Sequence, residues 1–170
     1  MDMDMGRVDG PGGPRVRRAD VSDGAALAEI DSVAAAGDHV RRDSIRRWCE
    51  HGLVLLAEDD TGPLGYSVLE YTFFEQGFLT LLMVAPGARR RGVGARLLAA
   101  VESTRTTPKL FTSTNVSNHP MRRLLGHANW RPAGILHGLD EGDPELFFLC
   151  PRAQSVNDKP LMSTSATFSA

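Results

Sequence analysis

Apolar positions recur along this chain in two rhythms, and the rhythms alternate. Arg15 to Ala19 reads as a short first strand. Ser22 is placed to cap a helix that sets Leu27, Ile30 and Val33 on one face. A second helix is predicted from Asp43, a candidate cap, to Cys49, ended by Gly52. Leu53 to Glu58 is a continuous apolar run of strand type, the turn signal Asp59-Asp60-Thr61-Gly62 follows, and Leu64 to Phe74 is a longer strand. Glu75-Gln76-Gly77 turns into a further strand, Phe78 to Val84. A Pro-Gly break and a basic turn precede a helix whose Leu97, Leu98 and Val101 repeat at helical spacing. Thr106-Thr107-Pro108 separates it from the strand Lys109 to Thr114, and a helix follows from Asn118 to about His127. Trp130 to Leu139 and Glu145 to Cys150 close the pattern as a hairpin around residues 140–144.

Outside that alternation little can be buried. Residues 1–13 are acidic and then rich in Gly and Pro, and residues 152–170 are rich in Ser and Thr; both are expected to be disordered tails around a domain spanning 14–151. The 170 residues fit one domain, and 42% apolar content suffices for a core. A formal net charge of -2 argues against a general nucleic-acid binder. Cys49 and Cys150 have neither metal spacing nor a disulfide framework and read as reduced thiols. With no signal-peptide pattern and no apolar run of spanning length, a cytoplasmic protein without a membrane partner is expected.

The most informative stretch is the corner between Phe78–Val84 and the helix after it. A strand there runs through Arg89, Arg90, Arg91, Gly92, Val93 and Gly94 into a helix. The first turn of a helix leaves backbone N–H groups without intrahelical partners, and the helix dipole adds positive charge at that end. Two glycines admit close approach of a ligand, and the arginines add charge-assisted donors. Such a corner suits a polyanion, most simply a pyrophosphate. A Walker loop would need Gly-Lys followed by Ser or Thr, and a dinucleotide fingerprint would need Gly or Ala where Leu97 stands. The bland alternative is a solvated basic loop shaped by glycines.

The run Arg89-Arg-Arg-Gly92-Val-Gly94 resembles the acyl-CoA signature Gln/Arg-x-x-Gly-x-Gly/Ala of the GCN5-related N-acetyltransferase (GNAT) superfamily. A second segment, Asn118 to Trp130, resembles that family's Asn-x-x-Ala-x-x-Leu-Tyr-x-x-x-Gly-Phe, with Asn118, Met121, Leu124 and Trp130 at matching positions. The resemblance implies a GNAT fold: an α/β architecture with a central, mixed, mostly antiparallel sheet of six to seven strands. Helices would cover both faces, and one parallel strand pair would splay apart to admit the pantetheine arm. It also implies acyl transfer from acetyl-CoA or another acyl-CoA, without a metal, to the amine of a small molecule or peptide, and leaves a homodimer possible.

Site residues follow from the same resemblance. Met83, Val84, Arg89, Arg90, Arg91, Gly92, Val93, Gly94, Ala95, Asn115 and Asn118 would bind the cofactor, with the Val84 N–H polarising the thioester carbonyl. The position that carries a proton-donating tyrosine in many relatives is Leu125 here. Ser117, a water molecule, or unassisted departure of the thiolate would have to serve instead. Glu70 is the candidate base, although a glutamate on a solvated strand face is the plainer reading. Asp143 and Glu145, in the acidic stretch 140–145, are candidates for recruiting a cationic acceptor, or else simply form a soluble turn. Two alternatives to transfer from CoA stand beside it: a non-catalytic acyl-CoA sensor, and an acyltransferase whose donor is carried on an acyl carrier protein.

Overall fold

The computed structural model describes residues 13–151, so the tails expected at 1–13 and 152–170 lie, apart from Gly13, outside the described residues. Seven strands form one sheet in the order β1-β2-β3-β4-β5-β7-β6. They are β1 Arg15–Arg18, β2 Val54–Asp59, β3 Gly62–Phe73, β4 Gln76–Val84, β5 Leu110–Asn115, β6 Arg131–Leu136 and β7 Glu145–Leu149. All neighbours are antiparallel except β4 and β5, which are parallel. The helices are α1 Gly24–Ile30, α2 Ser32–Ala35, α3 His39–Glu50, α4 Val93–Thr104 and α5 His119–His127. This is the mixed α/β architecture expected from the sequence.

Two cores lie on opposite faces of the sheet. One gathers Leu55, Leu69, Leu79, Leu97, Leu98, Val101, Leu110, Leu125, Trp130 and Phe148 beneath α4 and α5. The other gathers Leu27, Ile45, Cys49, Val54, Leu56, Tyr66 and Val68 beneath α1 and α3. Alternation along β2 sorts its residues between them: Val54 and Leu56 to one side, Leu55 and Ala57 to the other. Leu97, Leu98 and Val101 of α4 are almost wholly buried, and each such side chain contributes about 2 kcal/mol of transfer free energy.

The first helical segment departs from expectation. A single helix carrying Leu27, Ile30 and Val33 on its buried face is replaced by two short ones that break at Asp31. The cap before them is Asp20, which with Asp23 forms a reciprocal capping box, and not Ser22. Asp31 is wholly buried, has extended backbone, and accepts from the Val33 and Ala34 N–H groups as the cap of α2. Its other carboxylate oxygen accepts from the Tyr66 hydroxyl at 2.6 Å. The break rotates Val33 outward to 39% exposure and sends Ala34 into the core instead. The next helix begins four residues before the expected cap, because Asp38 accepts from the Arg41 N–H at 2.9 Å. Gly52 follows it with a φ of 65°, where a side chain would be strained.

Candidate active site

Strand β4 holds the site, and a bulge shapes it. In the β3–β4 ladder Val68 pairs Leu81 and Leu69 pairs Leu79, so Thr80 is an extra residue on β4. A bulge bends its strand and increases local twist. At that same point the parallel ladder to β5 stops: Gly77 pairs Leu110, Phe78 pairs Phe111, Leu79 pairs Thr112, and no register pair follows. Beyond the apex β5 continues against β7 from Ser113 to Asn115, while β4 continues against β3 as far as Val84. The two strands therefore part, and the β5-facing backbone of residues 80–84 has no strand partner among the described residues. Thr112 closes the apex, its buried hydroxyl donating to the Leu79 carbonyl at 2.8 Å.

Met83 and Val84 lie in the parted stretch, half-buried and on opposite faces. Met83 packs with the α1–α3 core and Val84 with the α4–α5 core. The chain then leaves β4 through the short turn Pro86–Ala88, anchored by buried Ala88, and reaches α4 through Arg89 to Gly92. Gly92 is the residue before the helix, with a φ of 78°, and a Cβ there would meet nothing within 4 Å. Its glycine is thus a matter of conformation, and the space beside it is open. Gly94 differs. A Cβ on it would sit in ordinary contact with Leu124, Leu82 and Val84, 3.4 to 3.8 Å away, so Gly94 lies where the first turn of α4 packs against β4 and α5.

Helices α2, α3 and α5 are capped by the side chains of Asp31, Asp38 and Asn118, whereas α4 has no side-chain cap. Its first amides, from Val93, Gly94 and Ala95, are free of intrahelical partners by helix geometry. The three arginines divide. Arg91 pairs with Asp59 at 3.1 Å, at the β2–β3 turn, where the Thr61 hydroxyl and N–H, helped by Arg91, hold the Asp59 carboxyl below its usual range. Arg89 and Arg90 are exposed, the latter with a φ of 61°. Ala95 and Ala99 line a groove of about 200 Å³ between α4 and α5, completed by Leu98, Glu102, Leu124, His127 and Ala128.

The sequence-derived candidates around α5 sit differently from one another. Asn118 caps α5, accepting from the Met121 N–H at 3.2 Å. Asn115 donates to Asp140 at 2.8 Å and to the Asp143 carbonyl at 3.3 Å. The Ser117 hydroxyl and N–H both donate to Asp143, at 2.5 and 3.0 Å. With the Val116 N–H donating to the Pro144 carbonyl, these bonds fasten the β6–β7 loop onto the turn before α5. Asp143 and Ser117 are therefore each other's partners. Leu125 is fully buried in the α4–α5 core, and it is Leu124 that lies next to Gly94 and lines the α4–α5 groove. Glu145 opens β7 opposite Asn115. Glu70, half-buried on β3, pairs across from Phe78 and accepts from the Thr80 hydroxyl. Both tyrosine hydroxyls are engaged elsewhere: Tyr66 is bound to Asp31, and Tyr71 accepts from the Thr106 N–H. Burial, followed by the Asp31 carboxylate, pushes the Tyr66 hydroxyl far above its ordinary pKa.

A bulge, a ladder that ends early and an uncapped, glycine-led helix occur together over the stretch that carries the signature. The family model described as the acetyltransferase (GNAT) family matches residues 25–128. The chain belongs to the GNAT family. A GNAT acetyltransferase from Bacillus cereus is 32% identical and superposes with a TM-score of 0.77, over 83% of this chain and 99% of that one. A putative acetyltransferase from Salmonella typhimurium, solved with its cofactor acetyl-CoA, is 18% identical over 88% of this chain and 99% of that one, with a TM-score of 0.68. Diaminobutyrate acetyltransferase from Paenibacillus lautus, solved with L-2,4-diaminobutyric acid and coenzyme A, is 19% identical over 78% and 92%, with a TM-score of 0.63. At that identity the last two share the fold with this GNAT chain. No curated protein sequence matches it. Among the described residues no group of three or more His, Cys, Asp or Glu side chains is placed to hold a metal ion, and no helix is long and apolar enough to cross a membrane.

Sequence reasoning missed Thr80, Thr112 and Leu82. Thr80 matters because it is the bulge, Thr112 because it ties the apex, and Leu82 because it packs β4 against the first turn of α4 at Gly94. The bulge is a property of register between two strands, which neither strand's own pattern records. Thr112, a polar residue in a strand with buried neighbours, is the one that left a signal.

Proposed function

We propose that this GNAT protein transfers an acetyl group from acetyl-CoA directly to the primary amine of a small molecule or peptide. The observation that carries this reading is the parting of β4 from β5 at Leu79 and Thr112, beside an α4 N-terminus that no side chain caps. Unpaired β4 backbone offers hydrogen bonds to the amides of a pantetheine arm. The amides of Val93, Gly94 and Ala95, with Arg89 and Arg90, offer donors to its diphosphate. Gly94, in the first turn of α4, lets a phosphate approach the backbone closely. Asn115 is spent on the β6–β7 loop, so its part is to hold that wall of the cleft, and Asn118 orders α5 as its cap.

In the transfer, the amine nitrogen attacks the thioester carbonyl, a C–N bond forms and the C–S bond breaks. The amine gives up one proton and the thiolate leaving group takes one. The backbone N–H at Val84 is the donor assigned to the carbonyl oxygen as negative charge develops on it. Holding both reactants at the fork supplies much of the remaining acceleration. Glu70, beside the bulge, is the carboxylate assigned to attract the ammonium and accept its proton through water. Ser117 is not assigned the acid role, since its hydroxyl already donates to Asp143. Water protonates the thiolate, or it leaves unassisted, because a thiolate is a far better leaving group than an alkoxide. Asp143 likewise serves the loop, and Glu145 remains the acid of that loop facing the acceptor side.

The test is thiol release. Protein, acetyl-CoA and a panel of primary amines should liberate free CoA, read with a thiol reagent, at a rate that saturates in both substrates. Binding of acetyl-CoA with no release above background for any amine would replace transfer by sensing, the reading that a buried Leu125 and an occupied Ser117 favour. Competition by an acylated carrier protein stronger than that by CoA would move the donor from CoA to a carrier.

A further inference from the structure

One feature of the sheet's α1–α3 face belongs to neither core. Phe73, Phe78, Phe111 and Phe147 come from four strands, and their rings form one cluster. Phe73 stands at the centre, with ring centroids 4.7 Å from Phe78, 5.5 Å from Phe111 and 5.9 Å from Phe147. All four are half-buried, and none is part of the apolar cores under α1–α3 or α4–α5. Alternation puts Phe78, Phe111 and Phe147 on the α1–α3 face of the sheet, since Leu79, Leu110 and Phe148 next to them belong to the opposite core, and the irregular register after Glu70 lets Phe73 join them there. Along β4 on that face, Met83 and Leu81 are covered by the α1–α3 core, and Phe78 lies past its edge.

The cluster also touches the fork. Phe78 and Phe111 are partners in the last parallel pair but one, immediately before the apex at Leu79 and Thr112. Glu70 stands directly across the β3–β4 ladder from Phe78, on the same face, tied to the bulge residue Thr80. The hairpin beside it is built at a conformational cost. Phe74 and Glu75, its two turn residues, have φ values of 50° and 58°, where Asn-Gly would be at ease and a bulky aromatic is strained. That turn holds the 84%-exposed Phe74 edge-on to Phe73, with centroids 5.0 Å apart. Strain of this kind persists where surrounding structure insists on it, and it concentrates at functional sites.

We infer that the Phe73, Phe78, Phe111 and Phe147 cluster is the floor of the acceptor site, and that the acceptor is a primary amine with an aromatic or apolar body. This rests on the proposed transferase reading and names its substrate class. The body lies on the rings and the ammonium lies beside the Glu70 carboxylate, where a cation is favoured by both the carboxylate and the ring faces. The amine is thereby presented at the apex, where β4 and β5 separate. A polyamine or sugar amine would leave the rings wet and its own polar groups unpaired, so it is disfavoured.

The experiment compares 2-phenylethylamine, ethylamine and spermidine as acceptors, by thiol release and by ligand-observed NMR binding in the presence of CoA. The expected order of kcat/KM is phenylethylamine at least roughly tenfold above ethylamine, with spermidine no better than ethylamine. Phe147→Ala should erase most of the phenylethylamine advantage through KM, and Glu70→Gln should raise KM and lower kcat for both monoamines. Phe147→Leu and the exposed Phe74→Ala serve where the larger truncation fails to fold. Equal use of ethylamine and phenylethylamine, or a preference for spermidine, overturns the floor. So does sedimentation showing that Phe147→Ala converts a dimer to a monomer with the acceptor ratio unchanged, since the rings would then be an interface between copies. Phenylethylamine that binds, weakens on Phe147→Ala, and yet elicits no thiol release would sink the transferase reading and keep the floor; an amine that shows neither binding nor turnover sinks the floor.

Discussion

Three adjacent arginines differ in what their surroundings leave them free to do. Arg91 is drawn to Asp59 at the β2–β3 turn, 32 residues earlier, so its charge is partly spent on the fold. Arg89 and Arg90 stand exposed beside the open side of Gly92. A charge-assisted bond to a phosphate oxygen is worth more than a neutral one, and each 1.4 kcal/mol is about tenfold in affinity. Arg89→Ala combined with Arg90→Ala should therefore weaken acetyl-CoA binding by roughly tenfold or more at low salt, with a smaller gap in high salt. Arg91→Ala should change it far less. Calorimetric titration of the three proteins at two ionic strengths decides; equal losses from Arg91 and from the Arg89–Arg90 pair would reject the division.

At the scale of elements, the local patterns carried most of the layout. Strands β2 to β5 and helices α4 and α5 fall where their apolar residues place them, the helices packing one face on a core and β2, β3 and β4 contributing to the cores on both faces. The exceptions all depend on partners far along the chain. Asp31 reads as one more polar residue in an amphipathic helix. It breaks that helix because Tyr66, 35 residues on, offers it a hydroxyl inside the core. The bulge at Thr80 and the fork it opens are likewise invisible to either strand alone, and only the family resemblance suggested a splay. The commitment of Ser117 and Asp143 to each other joins residues 26 apart, which no turn pattern shows. Tyr66→Phe tests the first of these. It leaves a buried Asp31 oxygen with no partner nearer than Arg41 at 4.0 Å, so unfolding free energy should fall by about 1–3 kcal/mol. Denaturant unfolding measures it. An unchanged midpoint would mean that the pair contributes nothing net to the fold.

In the whole molecule, two helical layers use the sheet unequally, and that inequality makes a site. Helices α4 and α5 cover one face from β2 across to β7, while α1–α3 cover the other only over β2, β3 and the far end of β4. The uncovered remainder of the second face carries the phenylalanine cluster, and the ladder between β4 and β5 ends beside it. On the proposed reading, a donor bound past α4 and an acceptor on those rings meet at the apex from opposite sides. Gly94 lies beside the proposed donor path, packed near Leu82 and Val84 of β4 and Leu124 of α5. Titration of acetyl-CoA into the wild-type protein and into Gly94→Trp, with circular dichroism to check that the variant is folded, probes this arrangement most directly. The fork account predicts saturable heat for the wild type and loss of most of the affinity in a folded Gly94→Trp. Undiminished binding by that variant, or no heat with the wild type, would contradict it.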